Sequence, residues 1–159
     1  MNLTVSTKKK WLKMMREKLG FISQEKNDEV LILDLLQWMH LNKADYTNTF
    51  CNLTYESIIS DKLYHKDEFL KWKDRWKKRL SADKNKQKSK ELMEASNPIV
   101  IPRNFLVEEA LIYAERGDLS KTKQLLKILS NPYQIQSSIE SYQIPPKPSK
   151  IPYKTYCGT

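Results

Sequence analysis

Glycine is scarce in this 159-residue sequence, which contains only Gly20, Gly117 and Gly158. A Walker-type phosphate loop or a dinucleotide-binding fingerprint needs clustered glycines, because backbone amides must approach the phosphates closely. The wide spacing of these three glycines therefore excludes both motifs from this chain. We predict no nucleotide cofactor site here.

Cysteine and histidine are also few. The sequence has Cys51, Cys157, His40 and His65, and it has no C-x-x-C, H-E-x-x-H or G-x-S-x-G motif. Spacings that would make a metal site or a catalytic nucleophile are absent, so we predict neither a metal site nor a catalytic residue. Two cysteines in a chain of this size favour a reducing compartment, and we expect a cytoplasmic protein.

Long apolar runs are missing. The longest, residues 30–41, is interrupted by Asp34 and Gln37 and is too short to cross a bilayer. Polar residues and three lysines follow Met1 without an apolar stretch, so we expect no secretory signal.

Positive charge is abundant but local. The formal net charge is +9, with +5 in residues 1–20 and +7 in residues 61–90, which leaves −3 elsewhere. Such clustering indicates an acidic partner, which is a nucleic acid, an anionic membrane or another part of a larger protein. The alternative is a set of solvated helix faces.

Apolar spacing predicts an all-α fold, which we interpret as an irregular helical array with a C-terminal αα-hairpin and an extended Pro-rich tail. The predicted divisions are a helical segment at 1–95, the hairpin at 96–134 and the tail at 135–159. Residues 7–19 predict a basic amphipathic helix that binds a membrane surface or packs against protein. Its apolar side consists of Trp11, Met14, Met15 and Leu19.

The next two helices are predicted to supply the core. Residues 30–41 are apolar almost all round, which is typical of a helix buried on every side. Asp45 is predicted to cap a short helix that turns Tyr46, Phe50 and Leu53 inward. Cys51 lies in this apolar context, so we interpret it as a buried side chain and not as a nucleophile.

A helix that opens at Asp67 combines an aromatic stripe with a crowded basic face. This composition is typical of a nucleic-acid surface, but also of a helix that docks its tryptophans into a core. The spacing favours docking, because Trp72 and Trp76 form an inner stripe. Residues 83–90 are predicted to be a charged connection, followed by a helical stretch over 91–95. The remaining stripe residues are Phe69 and Leu80, and the cations are Lys71, Lys73, Arg75, Lys77, Lys78 and Arg79.

Two further helices are predicted to form the hairpin. Pro102 and Asn104 open the first, with Asn104 as N-cap, and Gly117 ends it in a left-handed conformation. Asp118 then caps the second, which Asn131-Pro132 ends. The apolar stripes expected to face each other are Leu106, Val107, Ala110, Leu111 and Ala114, and Leu125, Leu126 and Leu129.

The tail is rich in proline and is predicted to run extended, without helix. Tyrosines give it anchors for docking, and Cys157 near Lys154 is reachable for thiol exchange, which makes it the candidate redox thiol. An idle terminal thiol is the alternative. The prolines are Pro145, Pro146, Pro148 and Pro152, and the tyrosines are Tyr142, Tyr153 and Tyr156.

Four blocks at matching positions resemble the C-terminal third of selenoprotein O. They are DYTNTF at 45–50, NPIVIPRNFLVEEAL at 97–111, GDLSKTKQLLKILSNPY at 117–133 and the ending PP…PYKTYCGT at 145–159. These proteins are kinase-like protein adenylyltransferases. The resemblance covers nearly the whole chain.

The resemblance implies that the family transfers AMP from ATP, with Mg²⁺ or Mn²⁺, to Ser, Thr or Tyr of other proteins. The family's catalytic and nucleotide-binding motifs precede the matched region, so none is carried over. We therefore expect a C-terminal fragment, inactive alone, whose partners are the kinase-like lobe and, in the full-length family, protein substrates. Cys157 matches the position third from the C-terminus at which family members have selenocysteine or cysteine, and the resemblance implies a redox role there.

Two other functions remain as alternatives. An independent helical adaptor fits the hairpin, although no second copy appears at a fixed period and one repeat cannot bury its own face. A nucleic-acid-binding protein would use residues 66–90.

Overall fold

The computed structural model describes residues 5–56 and 61–146. These residues form helices and no strand, which confirms the predicted all-α fold. The predicted division into three segments stays a prediction. The helices are α1 (Val5–Lys18), α2 (Asp28–Asn42), α3 (Tyr46–Tyr55), a 3₁₀ helix (Lys62–His65), α4 (Asp67–Ala82), α5 (Lys86–Ser96), α6 (Asn104–Glu115), α7 (Ser120–Leu129) and α8 (Glu140–Gln143).

The main core lies between α1, α2, α3, α4 and α5. The indole N–H of Trp72 donates to the carbonyl of Leu31 at 2.9 Å, and that of Trp76 donates to the carbonyl of Leu19 at 3.0 Å. Each tryptophan is thus buried with its polar atom satisfied, so the docking interpretation of α4 is confirmed. The largest fully buried apolar side chains of this core are Phe50, Phe69, Met15, Leu19, Ile32, Leu35 and Leu53.

A smaller apolar cluster joins α3 to the C-terminal part. Cys51 of α3 is fully buried there, as predicted, together with Ile99, Val100, Ile128 and Ile139. These side chains form a second, smaller core. It is built by α3, by the connection that precedes α6, by α7 and by the residues that precede α8.

A buried carboxylate connects the first, second and fourth helices. Asp28 accepts hydrogen bonds from the guanidinium Nε of Arg16 and of Arg79, each at 2.7 Å, and from the backbone N–H of Glu25 at 2.9 Å. Its side chain has no exposed surface. Burial alone would raise the pKa of Asp28, but these donors outweigh it and hold that pKa below its ordinary value. We call this group the Asp28 cluster.

Several predicted helix ends and faces need correction. α5 begins at Lys86, inside the predicted connection 83–90, because the Asn85 side chain accepts the backbone N–H of Lys88 at 3.0 Å. Asn104 is the first residue of α6, and Arg103 holds the N-cap position without a side-chain cap. Arg79 is buried in the Asp28 cluster and does not belong to the solvated basic face.

The hairpin forms as predicted, with a shifted contact face. Gly117 has φ +82°, the left-handed conformation that a glycine adopts without a steric penalty. The predicted cap Asp118 lies one position early, because Leu119 holds the N-cap position of α7, although the Asp118 side chain accepts the backbone N–H of Ser120 at 2.8 Å. Leu111 and Leu126 were placed in the apolar stripes but are exposed, whereas Ala110 is buried. Met14 and Tyr46 are likewise exposed, although predicted to face inward.

The proline-rich tail departs from the prediction at its start. Residues Glu140–Gln143 form α8, because the segment turns back onto the core instead of running extended. Residues 147–159, with Cys157, Tyr153 and Tyr156, lie outside the described part of the chain.

We predict that Asp28→Ala lowers the free energy of unfolding by about 3–5 kcal/mol, because it removes the buried carboxylate that the Arg16 and Arg79 guanidinium groups share. Urea denaturation followed by circular dichroism measures the change. Asp74→Ala on the exposed side of α4 is the matched control and should change stability by less than about 0.5 kcal/mol. Because the pKa of Asp28 is lowered, its contribution should be present at neutral pH and be lost as the pH falls below about 4. Equal losses in both variants would contradict this assignment.

Candidate docking face and C-terminal anchor

The outer face of α2 carries apolar side chains that no other described residue covers. The expectation that residues 30–41 are buried on every side is wrong for this face, because Val30, Leu33 and Leu41 are 53%, 48% and 71% exposed. The three recur at steps of three and eight, with exposed Gln37 between them, so they share one side of the helix. Scattered exposed leucines are ordinary, whereas an aligned row is a candidate contact surface. We call Val30, Leu33 and Leu41 the α2 stripe.

The C-terminal segment is held by a polar cluster that sequence reasoning missed. Arg103 makes a two-pronged ion pair with Asp45, with N–O distances of 2.9 and 3.1 Å. The same guanidinium donates to the carbonyls of Gln143 at 3.0 Å and Tyr142 at 3.3 Å. The Asn48 amide also donates to the Gln143 carbonyl, at 2.9 Å. This Arg103 cluster therefore joins the start of α3, the start of α6 and the end of α8.

Electrostatics in the Arg103 cluster follow from its burial. Desolvation opposes the charge on Asp45, but the hydrogen bonds from Arg103 and from the backbone N–H of Asn48 keep the pKa of that carboxyl below its ordinary value. Asp45 also caps α3 through that N–H at 2.9 Å, which confirms the predicted cap. One carboxylate thus starts a helix and fixes a distant segment.

Gln143 completes the anchor on its other side. Its side-chain amide donates to the Ile99 carbonyl at 3.2 Å and points at the sulfur of Cys51 at 3.9 Å. The structure therefore fixes the chain at Gln143, only 14 positions before Cys157. At most about 50 Å of extended chain separates the anchor from the candidate thiol.

Cys51 is an inert thiol in this arrangement. It is fully buried, and burial raises its pKa to about 11, so the reactive thiolate is scarce at neutral pH. The interpretation of Cys51 as a packing residue is confirmed. Cys51 therefore offers no partner for a thiol on the tail.

The described residues contain no cluster of side chains that could hold a metal ion. Within residues 5–56 and 61–146, no three side chains of the His, Cys, Asp and Glu types converge on a point that a metal ion could occupy. The buried carboxylates Asp28 and Asp45 already accept from arginines, so these residues do not fit an ATP–magnesium site. No helix in the same ranges has the length and apolar character that a membrane crossing needs.

These observations define an all-α array with an exposed apolar row on α2 and a C-terminal segment fixed by the Arg103 cluster. Comparison with known proteins gives the family. The family model "Protein adenylyltransferase SelO" matches residues 3–130. The chain belongs to the protein adenylyltransferase SelO family.

Relatives support the same conclusion. A protein nucleotidyltransferase YdiU of Clostridium botulinum (strain 657 / Type Ba4) is 49% identical over 154 residues, which is 96% of this chain and 31% of that relative. One from Pelagibacter ubique (strain HTCC1062) is 46% identical over 151 residues, 94% of this chain and 31% of its own length. One from Bacillus cereus (strain AH820) is 44% identical over 158 residues, with 98% and 32% covered. The chain spans about a third of the relatives it matches.

We predict that Arg103→Gln loosens the C-terminal segment before it affects the main core. Loss of charge-assisted hydrogen bonds worth about 2 kcal/mol should speed amide exchange of residues 139–143 roughly thirtyfold. Hydrogen–deuterium exchange with mass spectrometry measures this locally. Arg116→Gln at the exposed hairpin turn is the control and should leave the exchange unchanged. Unchanged exchange in Arg103→Gln would show that the cluster does not anchor the segment.

Proposed function

We propose that this chain is the C-terminal helical segment of a SelO-type protein adenylyltransferase and braces the kinase-like part that performs the chemistry. The α2 stripe is the observation that carries the proposal. It is an aligned apolar surface with no cover in the described residues, on a chain that spans 31% of a relative's length. The remaining part of such a protein is the natural cover.

The energetics support this role. Fully burying a valine or leucine side chain contributes about 1.5–3 kcal/mol, and each member of the stripe is roughly half exposed. Covering all three therefore contributes about 3 kcal/mol. That amount is a large fraction of the stability of an ordinary domain, so the stripe can couple the folding of two parts of one protein.

The reaction belongs to the proposed whole and not to this segment. We propose that the complete protein transfers AMP from ATP, with Mg²⁺ or Mn²⁺, to Ser, Thr or Tyr of protein substrates in the cytoplasm. ATP and the metal ion would bind in the kinase-like part, because the residues described here do not fit them. The helical adaptor and the nucleic-acid-binding protein remain alternatives that no specific contact favours.

A chimera tests the bracing role. This chain replaces the matching segment of the Clostridium botulinum relative, to which it is 49% identical. We expect one cooperative thermal transition and AMP transfer from labelled ATP with Mn²⁺, whereas the 159-residue chain alone transfers none. Leu33→Gln with Leu41→Gln should lower the melting temperature and the transfer rate of the chimera, without lowering the melting temperature of the isolated chain.

Leu111→Gln with Leu126→Gln is the matched control, because these leucines are similarly exposed but lie on the hairpin. Equal behaviour of both double variants would refute the α2 stripe as the bracing surface. Robust labelling by the isolated chain would refute the proposal as a whole.

We further propose that Cys157 is a redox-sensitive thiol of the tail. Its partner would be a cysteine in the kinase-like part, since Cys51 is buried with a pKa of about 11. Two thiols would lose two protons and two electrons to an added disulfide oxidant such as oxidised glutathione, and one disulfide would form between them. Treatment of the chimera with that oxidant should shift its mobility on a non-reducing gel, and Cys157→Ser should abolish the shift. A shift that persists in Cys157→Ser would exclude this role.

A further inference from the structure

The two basic stretches of the sequence meet in space. α1 carries the first, and the second runs through α4 into α5, which packs against α1. Asp83, between α4 and α5, holds the loop after α1 in place, because its side chain accepts the backbone N–H groups of Ile22 at 2.9 Å and Ser23 at 3.2 Å. Charges separated by about seventy positions therefore lie along one surface, a convergence that composition alone does not show.

A groove of about 750 Å³ runs along this junction. Its rim carries the exposed cations Lys9 and Lys13 from α1 and Lys88 from α5. Lys9 and Lys88 have no ion-pair partner among the described residues, and Lys13 lies 3.9 Å from Glu17, the only acidic residue in the lining. The fourth cation in the lining, Arg16, is already bound to Asp28. The rim is therefore positively charged, with little internal compensation.

The floor of the groove is aliphatic. Leu12, Ile22 and Leu92 lie there half-buried, and Phe21 is buried beneath them with the Arg79 guanidinium stacked on its ring at 4.4 Å. An aliphatic floor under a cationic rim matches a polypeptide that presents apolar side chains between carboxylates.

Other anionic partners fit less well. A single-stranded nucleic acid needs exposed aromatic rings for its bases to stack on, and Phe21 is only 2% exposed. A bilayer surface contacts a convex apolar face, whereas these apolar side chains lie at the bottom of a concave groove. Phosphate groups would interact with the lysines, but they would make no favourable contact with Leu12, Ile22 and Leu92.

We propose that the groove between α1 and α5 binds an acidic amphipathic peptide segment, with its carboxylates on Lys9, Lys13 and Lys88 and its apolar side chains on Leu12, Ile22 and Leu92. This surface is separate from the α2 stripe, and the inference does not depend on the proposed adenylyltransferase role.

Fluorescence anisotropy with the 159-residue chain tests the binding. The probe is a labelled 14-residue peptide with leucines at positions one, four, five and eight, the spacing of one helix face, and glutamates elsewhere. Its comparisons are a polyglutamate of equal charge, a single-stranded oligonucleotide and vesicles that contain phosphatidylserine. We expect micromolar binding of the leucine–glutamate peptide, at least tenfold tighter than polyglutamate, that weakens as the salt concentration rises.

Charge reversal locates the site. Lys9→Glu, Lys13→Glu and Lys88→Glu together should weaken peptide binding at least tenfold. Lys71→Glu, Lys123→Glu and Lys127→Glu make the same change in net charge at exposed positions elsewhere and should weaken it less than threefold. Circular dichroism confirms that both triple variants keep their helix content; if the first does not, single replacements of Lys9 and Lys88 by glutamine take its place.

Three results would overturn the proposal: no binding of the leucine–glutamate peptide, equal losses in the two triple variants, or tighter binding of polyglutamate, the oligonucleotide or the vesicles than of the peptide. Each of these results would show that the groove does not recognise acidic and apolar side chains in combination. The tests use the isolated chain, so failure of the chimera leaves them unaffected.

Discussion

The Asp28 side chain has no exposed surface, and its charge is stabilised by guanidinium groups from α1 and α4 and by the backbone N–H of Glu25. A buried ion cluster adds little net stability relative to an apolar replacement, but it is costly to leave incomplete. The Asp28 cluster therefore constrains the packing of α1, α2 and α4, because both arginines must reach the same carboxylate. Arg79 also donates hydrogen bonds to Asp83 and to the carbonyl of Ser23, and these contacts fix the loop before α2.

This constraint determines which surfaces face outward. With Asp28 turned inward at the first turn of α2, Leu31, Ile32 and Leu35 follow it into the core, and Val30, Leu33 and Leu41 are left outside. The same loop positions Ile22 above α1, where it lines the basic groove. Both surfaces on which function is proposed are thus consequences of one buried charge. The Arg103 cluster acts in the same way at the other end, where Asp45 and Gln143 fix the exit of the tail.

The elements and the long-range contacts differ in how well the sequence predicts them. The aromatic spacing on α4, the Gly117 turn and the Asp45 cap depend on neighbours within a few positions, and each was predicted correctly. Asp28 was missed because its partners lie 12 and 51 positions away. Arg103 was missed because its partners lie up to 58 positions away. The sequence failed in a different way for Val30, Leu33 and Leu41, which were predicted to be buried but are exposed. The identity of an apolar residue does not indicate whether other residues of the same chain pack against it.

The misplaced row on α2 bears on the proposed bracing role. A helix that is apolar all round is normally enclosed, so the pattern of α2 satisfies this rule only when a further part of the protein is included. The chain spans 31% of a relative whose name describes nucleotide transfer, while the described residues contain no cluster that could hold a metal ion. Selection on such a segment would act through the stability and position of what it contacts. Under the proposed bracing role, the apolar row on α2 and the fixed position of Gln143 would contribute to function by determining where the kinase-like part lies.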